Sequence, residues 1–222
     1  MIKAIIVDLD DTLILTEELA FHLENEVLRQ MGRPPMSRIV HQTTWGQVLW
    51  EAITQRSPGV DAGEFRRLFG PVMSDYALTG KIDVITEANY EALQTLKAMR
   101  KQVMILTSRA HEELAHLLTP DHRLADHVLQ FYYHDTMQFH KPDPRAFSEV
   151  LNDHGLVPEE AVYVGDSPSD AAASNGAGLR FVANLEGGLR TETDFANYQT
   201  AAFINSFPEL VGVVEALDES QA

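Results

Sequence analysis

The sequence predicts an α/β protein: a doubly wound parallel sheet with a helical cap inserted after the first strand. Three observations lead there. Short apolar runs without polar alternation recur along the chain, as parallel strands covered on both faces require. Amphipathic segments at helical spacing separate them, and strand–helix alternation of this kind builds a sheet with helices on both sides. The alternation is suspended once, from about residue 16 to 85, where helical stripes follow one another with no strand between.

The elements follow in order. IIV at residues 5–7 is the first strand, by its β-branched content. VMIL at 103–106, AVYV at 161–164 and LRFV at 179–182 continue the series, and AFI at 202–204 is a weaker fifth. Ala92, Leu93, Leu96 and Met99 mark one helix, and Leu210, Val213, Val214 and Leu217 mark the last. Within the interruption, Leu19, Leu23, Val27 and Met31 form a stripe that Gly32, Pro34 and Pro35 end. Trp45, Val48, Leu49, Ala52 and Ile53 form a second, closed by Ser57-Pro58-Gly59. A third runs through Phe65, Leu68, Phe69 and Val72, with an expected break at Gly70-Pro71. The expected division is a core of residues 1–15 and 86–222 around a helical insert of 16–85.

Composition narrows the function. Hydrophobic residues make up 45% and charged residues 23%, which places the chain among ordinary globular proteins. The formal charge of -16 repels nucleic acid and anionic membrane, so neither is expected as a partner. Absence of cysteine excludes disulfides, thiolate nucleophiles and cysteine-bound metals. The first apolar run is too short for a signal-peptide core, and no apolar stretch reaches membrane-spanning length. A cytoplasmic location is expected.

Chemistry gathers after the strands, where open parallel sheets bind ligands. The first strand runs into VDLDDT, which sets Asp8, Asp10 and Asp11 within four positions. Neighbouring carboxylates oppose each other's ionisation, so such a cluster needs positive charge against it. Thr107, Ser108 and Arg109 follow the second strand, and Gly165-Asp166-Ser167-Pro168-Ser169-Asp170 follows AVYV. Lys141 stands in the loop HKPDP. A carboxylate can attack phosphorus, a second can move protons, and oxygen ligands suit Mg²⁺. Asp8 and Asp10 point the same way only while the chain stays extended. Ser167 and Asp170 also read as a capping box with Pro168 at the first helical position, so Asp170 is a helix cap, a metal ligand or both. HEELAH (111–116) is not a zinc helix, because its histidines are five apart and turn to different faces.

Taken together these motifs resemble the haloacid dehalogenase superfamily, in its phosphatase type with a helical cap. VDLDDT is similar to that family's DxDxT, Thr107 falls on its second-motif hydroxyl, Lys141 on its lysine and VGDSPSD on its GDxxxD. The resemblance implies a Mg²⁺-dependent phosphatase of a small phosphorylated metabolite, acting as monomer or homodimer. It implies Asp8 as nucleophile and Asp10 as general acid and base. Thr107, Ser108, Arg109 and Lys141 would meet the phosphoryl group, and Asp8, Asp10, Asp166 and Asp170 would serve the metal, Asp10 through its carbonyl. Asp11 stands where glycine is usual, and Val84-Ile85-Thr86 replaces a Pro-Gly turn.

Three alternatives stay open from sequence. The first is a phosphotransferase or mutase of the β-phosphoglucomutase type, and the second a catalytically silent phosphate-ester binder. A receiver module is disfavoured, since its phosphorylated aspartate would follow a later strand. Inside the insert, the Trp45 stripe is expected in the core, whereas Trp50 is free to face the cleft or solvent. His41, Gln42 and Thr44 are expected to form a solvated helix start. Arg109 is expected either at phosphate or paired with Glu112 or Glu113. Of the nine histidines, His140 attracts interest because it adjoins Lys141.

Overall fold

The computed structural model describes residues 1–220; the last two positions of the expected 86–222 segment lie outside the described residues. In chain order it comprises β1 (Ala4–Val7), α1 (Glu17–Gln30), α2 (Arg38–Thr43), α3 (Leu49–Arg56) and α4 (Ala62–Leu78). Then come α5 (Glu87–Ala98), β2 (Gln102–Leu106), α6 (His111–Leu114), β3 (Gln130–Tyr132) and α7 (Ser148–Asp153). β4 (Ala161–Gly165), α8 (Pro168–Gly176), β5 (Arg180–Asn184), β6 (Ala202–Ile204) and α9 (Leu210–Glu219) complete it.

The six strands form one sheet in the order β3-β2-β1-β4-β5-β6, and every pair is parallel. The chain winds outward from β1 through β2 to β3, then returns to the other side of β1 at β4. That return is the topological switch point, and β1 and β4 flank it. In register, Val7 stands beside both Ile105 and Val164, so the residues after these strands emerge along one edge.

Strand periodicity splits the core in two. Ile5, Val7, Val103, Ile105, Val162 and Val164 pack on one face with Leu93 and Leu96 of α5 and Val214 of α9. Ala4, Ile6, Met104, Leu106 and Tyr163 face the other side, against Phe147, Val150 and Ala171. Burial on both faces explains why the strands read as continuous apolar runs. Helices α1, α3 and α4 close around a separate cluster of Leu23, Val27, Leu49, Ile53, Phe65, Phe69 and Ile82.

Several elements depart from expectation. β3 was not expected, because three residues at a sheet edge with exposed Gln130 carry too little pattern. α4 runs unbroken through Gly70-Pro71. Pro71 lies on its exposed face, where water can replace the lost backbone rung, while Phe65, Phe69, Val72 and Met73 remain buried on the other. The second stripe also fails as one helix. α2 stops at Thr43 and α3 begins at Leu49, so Trp45 sits in the turn between them. Gly46 makes that turn possible at a φ of 85°, a left-handed conformation that favours glycine. Among the described residues no helix is long and apolar enough to cross a membrane.

Candidate active site

The first motif leaves the sheet through a turn. Asp8 still donates its N–H to the Val164 carbonyl, in line with the β1–β4 ladder. The Leu9 carbonyl then accepts from the N–H groups of Leu13 and Ile14, so the chain has doubled back within a few residues. The turn parts Asp8 from Asp10, which an extended strand would have held on one side.

Asp8 goes with the lysine. Lys141 Nζ lies 2.9 Å from Asp8 Oδ1 and 2.7 Å from Asp170 Oδ1, and all three groups are nearly buried. Lys141 Nζ also donates to Tyr163 Oη at 2.9 Å, and that hydroxyl donates to Asp170 Oδ1 at 2.8 Å. Burial pushes Asp8 up to about 7 against the pull of Lys141, with Asp170 and Asp10 adding to the rise. Burial pulls the Lys141 ammonium down, but Asp170 and Asp8 outweigh it and hold the proton more tightly than usual.

Asp170 serves two structures at once. Its Oδ2 accepts from the Ser167 N–H at 3.0 Å and from Ser167 Oγ at 2.6 Å, completing the capping box of α8. Its Oδ1 takes Lys141 and Tyr163. Despite burial, these donors hold the carboxyl below its ordinary range. Gly165 is required beside it: a Cβ there would lie 2.6 Å from Asp170 Cγ. Asp166 is different. It is 9% exposed, and its side chain has no hydrogen bond or ion pair among the described residues. Burial and the charges of Asp170, Asp8 and Asp11 push it well above the ordinary carboxylate value.

Oxygens of Asp8, Asp166 and Asp170 lie within 4.8 Å of one another. An unpartnered, nearly buried carboxylate within an all-oxygen donor set fits a hard divalent cation such as Mg²⁺. Asp10 is not in this cluster. Its carboxylate turns to Arg109, whose Nε and Nη2 approach it at 2.6 to 3.1 Å. The other donors of Arg109 go to Asp83 (2.8 Å twice) and the Glu113 carbonyl, so every guanidinium N–H has a protein partner. In place of Glu112 or the Glu113 side chain, Arg109 thus pairs with Asp10 and Asp83. Glu112 pairs with Arg66 instead. Burial would raise Asp83, but Arg109 and His116 bring it to about 2. Thr107 is buried, with its hydroxyl accepting from the Arg109 N–H.

A cleft of about 320 Å³, counted to its mouth, exposes this chemistry and is lined in part by Asp8, Asp10, Ser108, Lys141, Asp166 and Ser167. Trp45 and Gly46 reach it from the helical unit. The indole Nε1 of Trp45 donates to Asp11 Oδ2 at 2.6 Å, tying the turn to the first motif. Asp11 Oδ1 accepts from Thr16 N (3.0 Å) and Glu17 N (3.4 Å) at the entry to α1.

The two tryptophans therefore exchange their expected places. Trp50 packs edge-on against Phe65 and Phe69 in the helical core, while Trp45 faces the cleft. His41 is not solvated either. It is fully buried, 2.7 Å from Glu17 Oε1 and 3.2 Å from Glu24 Oε1. Thr44 is bound by buried Arg56. His140 stacks on His134 at 4.4 Å between centroids. His116 meets Asp83, apart from His111, which lies against Tyr133. Tyr163 was missed in sequence, although a phenol in an otherwise apolar buried strand asks for a polar partner. Asp83 gave no local signal at all.

An aspartate–lysine pair beside further carboxylates stands at the switch point of a 3-2-1-4-5-6 parallel sheet, where α/β enzymes hold their sites. The chain belongs to the haloacid dehalogenase-like hydrolases, whose family model matches residues 5–184. It is similar to a phosphoglycolate phosphatase of Rhodobacter capsulatus, 27% identical across 97% of this chain and 98% of the relative. A phosphoglycolate phosphatase of Thiobacillus denitrificans is 28% identical over 80% of each chain. Among solved structures, CbbY from Rhodobacter sphaeroides in complex with phosphate superposes with a TM-score of 0.78 at 22% identity, covering 95% of this chain and 96% of its own.

Proposed function

We propose that this hydrolase is a Mg²⁺-dependent phosphoric monoester hydrolase that acts on a small phosphorylated metabolite through an aspartyl-phosphate. The observation that carries the reading is Lys141 against Asp8, with unpartnered Asp166 alongside. Asp8 and Asp166 would hold the metal with the Asp10 carbonyl, while Asp170, its oxygens already engaged, supports from behind. Bound Mg²⁺ supplies positive charge to the carboxylates and to the phosphoryl oxygens.

The side chains divide the reaction. An Asp8 oxygen attacks phosphorus, and the bond to the leaving oxygen breaks. Asp10 gives that oxygen its proton, then takes one from the water that opens the aspartyl-phosphate. Arg109 is a positioning residue for Asp10, since it grips both its oxygens. Lys141 balances Asp8 and the incoming dianion, and Thr107 and Ser108 offer hydroxyls at the end of β2. Helices α1 to α4 act as a cap, with Trp45 and Gly46 as the part that reaches the phosphoryl cleft.

The relatives' names make phosphoglycolate the first compound to assay, within a panel of phosphomonoesters. Phosphate release that requires Mg²⁺ and disappears in Asp8→Asn, with the fold retained by circular dichroism, is the expected result. Turnover at the wild-type rate by Asp8→Asn would sink the nucleophile assignment.

A further inference from the structure

Beyond Asp10 lies a second cleft of about 600 Å³ including its mouth, between the helical unit and the loop after β2. Asp10, Trp45, Gly46 and Ser108 line both clefts, so Asp10 stands at their common wall. If Asp10 protonates the leaving oxygen, the organic part of the substrate extends past it into the second cleft. That cleft has apolar walls from Leu23, Leu49, Phe69 and Ile82, and its charged groups are Asp10, Glu24, Arg56, Arg109 and Glu113.

Neither cation is free. Arg109 is saturated by Asp10, Asp83 and the Glu113 carbonyl. Arg56 donates to Glu24 Oε1 at 2.5 Å, to Thr44 Oγ1 at 2.8 Å and to the Thr44 carbonyl at 3.0 Å. On the acidic side, Glu113 takes the Ala110 N–H on Oε2, and burial raises its carboxyl to about 7, while the open acceptor that is fully buried belongs to Glu24. Glu24 is 2% exposed; its Oε1 takes Arg56 and His41, while Oε2 is buried with no hydrogen-bond partner. Glu24 lines the cleft, and an orphaned buried carboxylate oxygen is costly unless a ligand entering there satisfies it.

We infer that this cleft binds the alcohol portion of the substrate and selects a neutral or cationic hydrogen-bond donor over a carboxylate, with Glu24 as the specificity-determining residue. The inference rests on the hydrolase reading above. A hydroxyl or ammonium satisfies Glu24 Oε2. A carboxylate would meet like charge with no unengaged cation to offset it, so it is rejected by repulsion as well as by lost bonding. This chain then departs in substrate from the phosphoglycolate phosphatases it resembles.

The test uses three phosphomonoesters of equal length that differ only in the distal group: hydroxyethyl phosphate, aminoethyl phosphate and phosphoglycolate. A nitrophenyl phosphate serves as a general reporter of hydrolysis. The expected result is kcat/KM for the hydroxyethyl or aminoethyl ester about tenfold or more above phosphoglycolate. Glu24→Gln, shown to be folded, should bring that ratio toward one, mainly through KM. Equal rates, preference for phosphoglycolate, or a ratio unmoved in folded Glu24→Gln would overturn the inference. If Glu24→Gln does not fold, the wild-type ranking decides alone. Cleavage of the nitrophenyl ester but none of the three defeats the inference and leaves the hydrolase reading standing. No phosphate from any of the four overturns both.

Discussion

Asp11→Asn isolates the electrostatic cost of a buried carboxylate within the first motif. Asp11 is 3% exposed and adopts a φ of 49°, a left-handed conformation that Asn also tolerates. Burial, with Asp10 adding like charge, pushes its carboxyl from the ordinary 3.8 to about 6, despite hydrogen bonds from Thr16, Glu17 and Trp45. The folded protein therefore keeps a proton that the unfolded chain releases between these two values. As pH rises through that window, this group takes stability away, and the loss levels off above about 6. At about 1.4 kcal/mol per pH unit, the full loss is about 3 kcal/mol. Asparagine keeps the shape and removes the titration. Urea denaturation of metal-free protein with EDTA, at about pH 4 and about pH 7, reads the effect. The stability of Asp11→Asn relative to wild type should move in the variant's favour by up to about 3 kcal/mol at the higher pH. A difference that stays constant within about 0.5 kcal/mol would refute the reasoning.

Lys141→Met should cost about 3–5 kcal/mol in metal-free protein, because Asp8 and Asp170 lose their shared buried cation; denaturant midpoints check this, and Mg²⁺ should recover part of it. Trp45→Phe keeps an aromatic ring but strips the donor from Asp11 Oδ2, costing about 1.5–3 kcal/mol near neutral pH. In a double-mutant cycle with Asp11→Asn, the two changes should be clearly non-additive. Asp83, held at about 2 by Arg109 and His116 against burial, contributes stability above 3.8 that is lost as pH falls toward 2. Wild type should therefore exceed Asp83→Asn by about 2 kcal/mol at neutral pH, an advantage that acid titration of the two proteins should erase.

Some of the molecule is legible because its cause is local. A parallel strand buried on both faces must be apolar at every position, so β1, β2, β4, β5 and β6 show in composition. β3 does not, since three residues at an edge satisfy the sheet with Gln130 exposed and only Tyr132 buried. The motif residues were visible because ligands meet such a sheet just past its strands. Turns were harder. A helical stripe continued naturally from Trp45 to Ile53, yet Gly46 at positive φ breaks it, and that break turns Trp45 toward Asp11 while Trp50 goes into the core.

Sequence alone thus determined the sheet, the helical insert, the family resemblance and the set of carboxylates and lysine at one edge. Only the tertiary structure decided who pairs with whom. Arg109 could have served phosphate or its helical neighbours; it holds Asp10, 99 residues away, and Asp83, 26 residues away. Asp8 and Asp10, two positions apart, part to different cations because one tight turn separates them. Glu24 reads as one more acidic residue on an amphipathic helix, until packing buries it with one oxygen engaged and the other open. Periodicity and strand ends follow from each residue's own neighbours, whereas the pairing of buried charges is settled by which distant segments exclude water together.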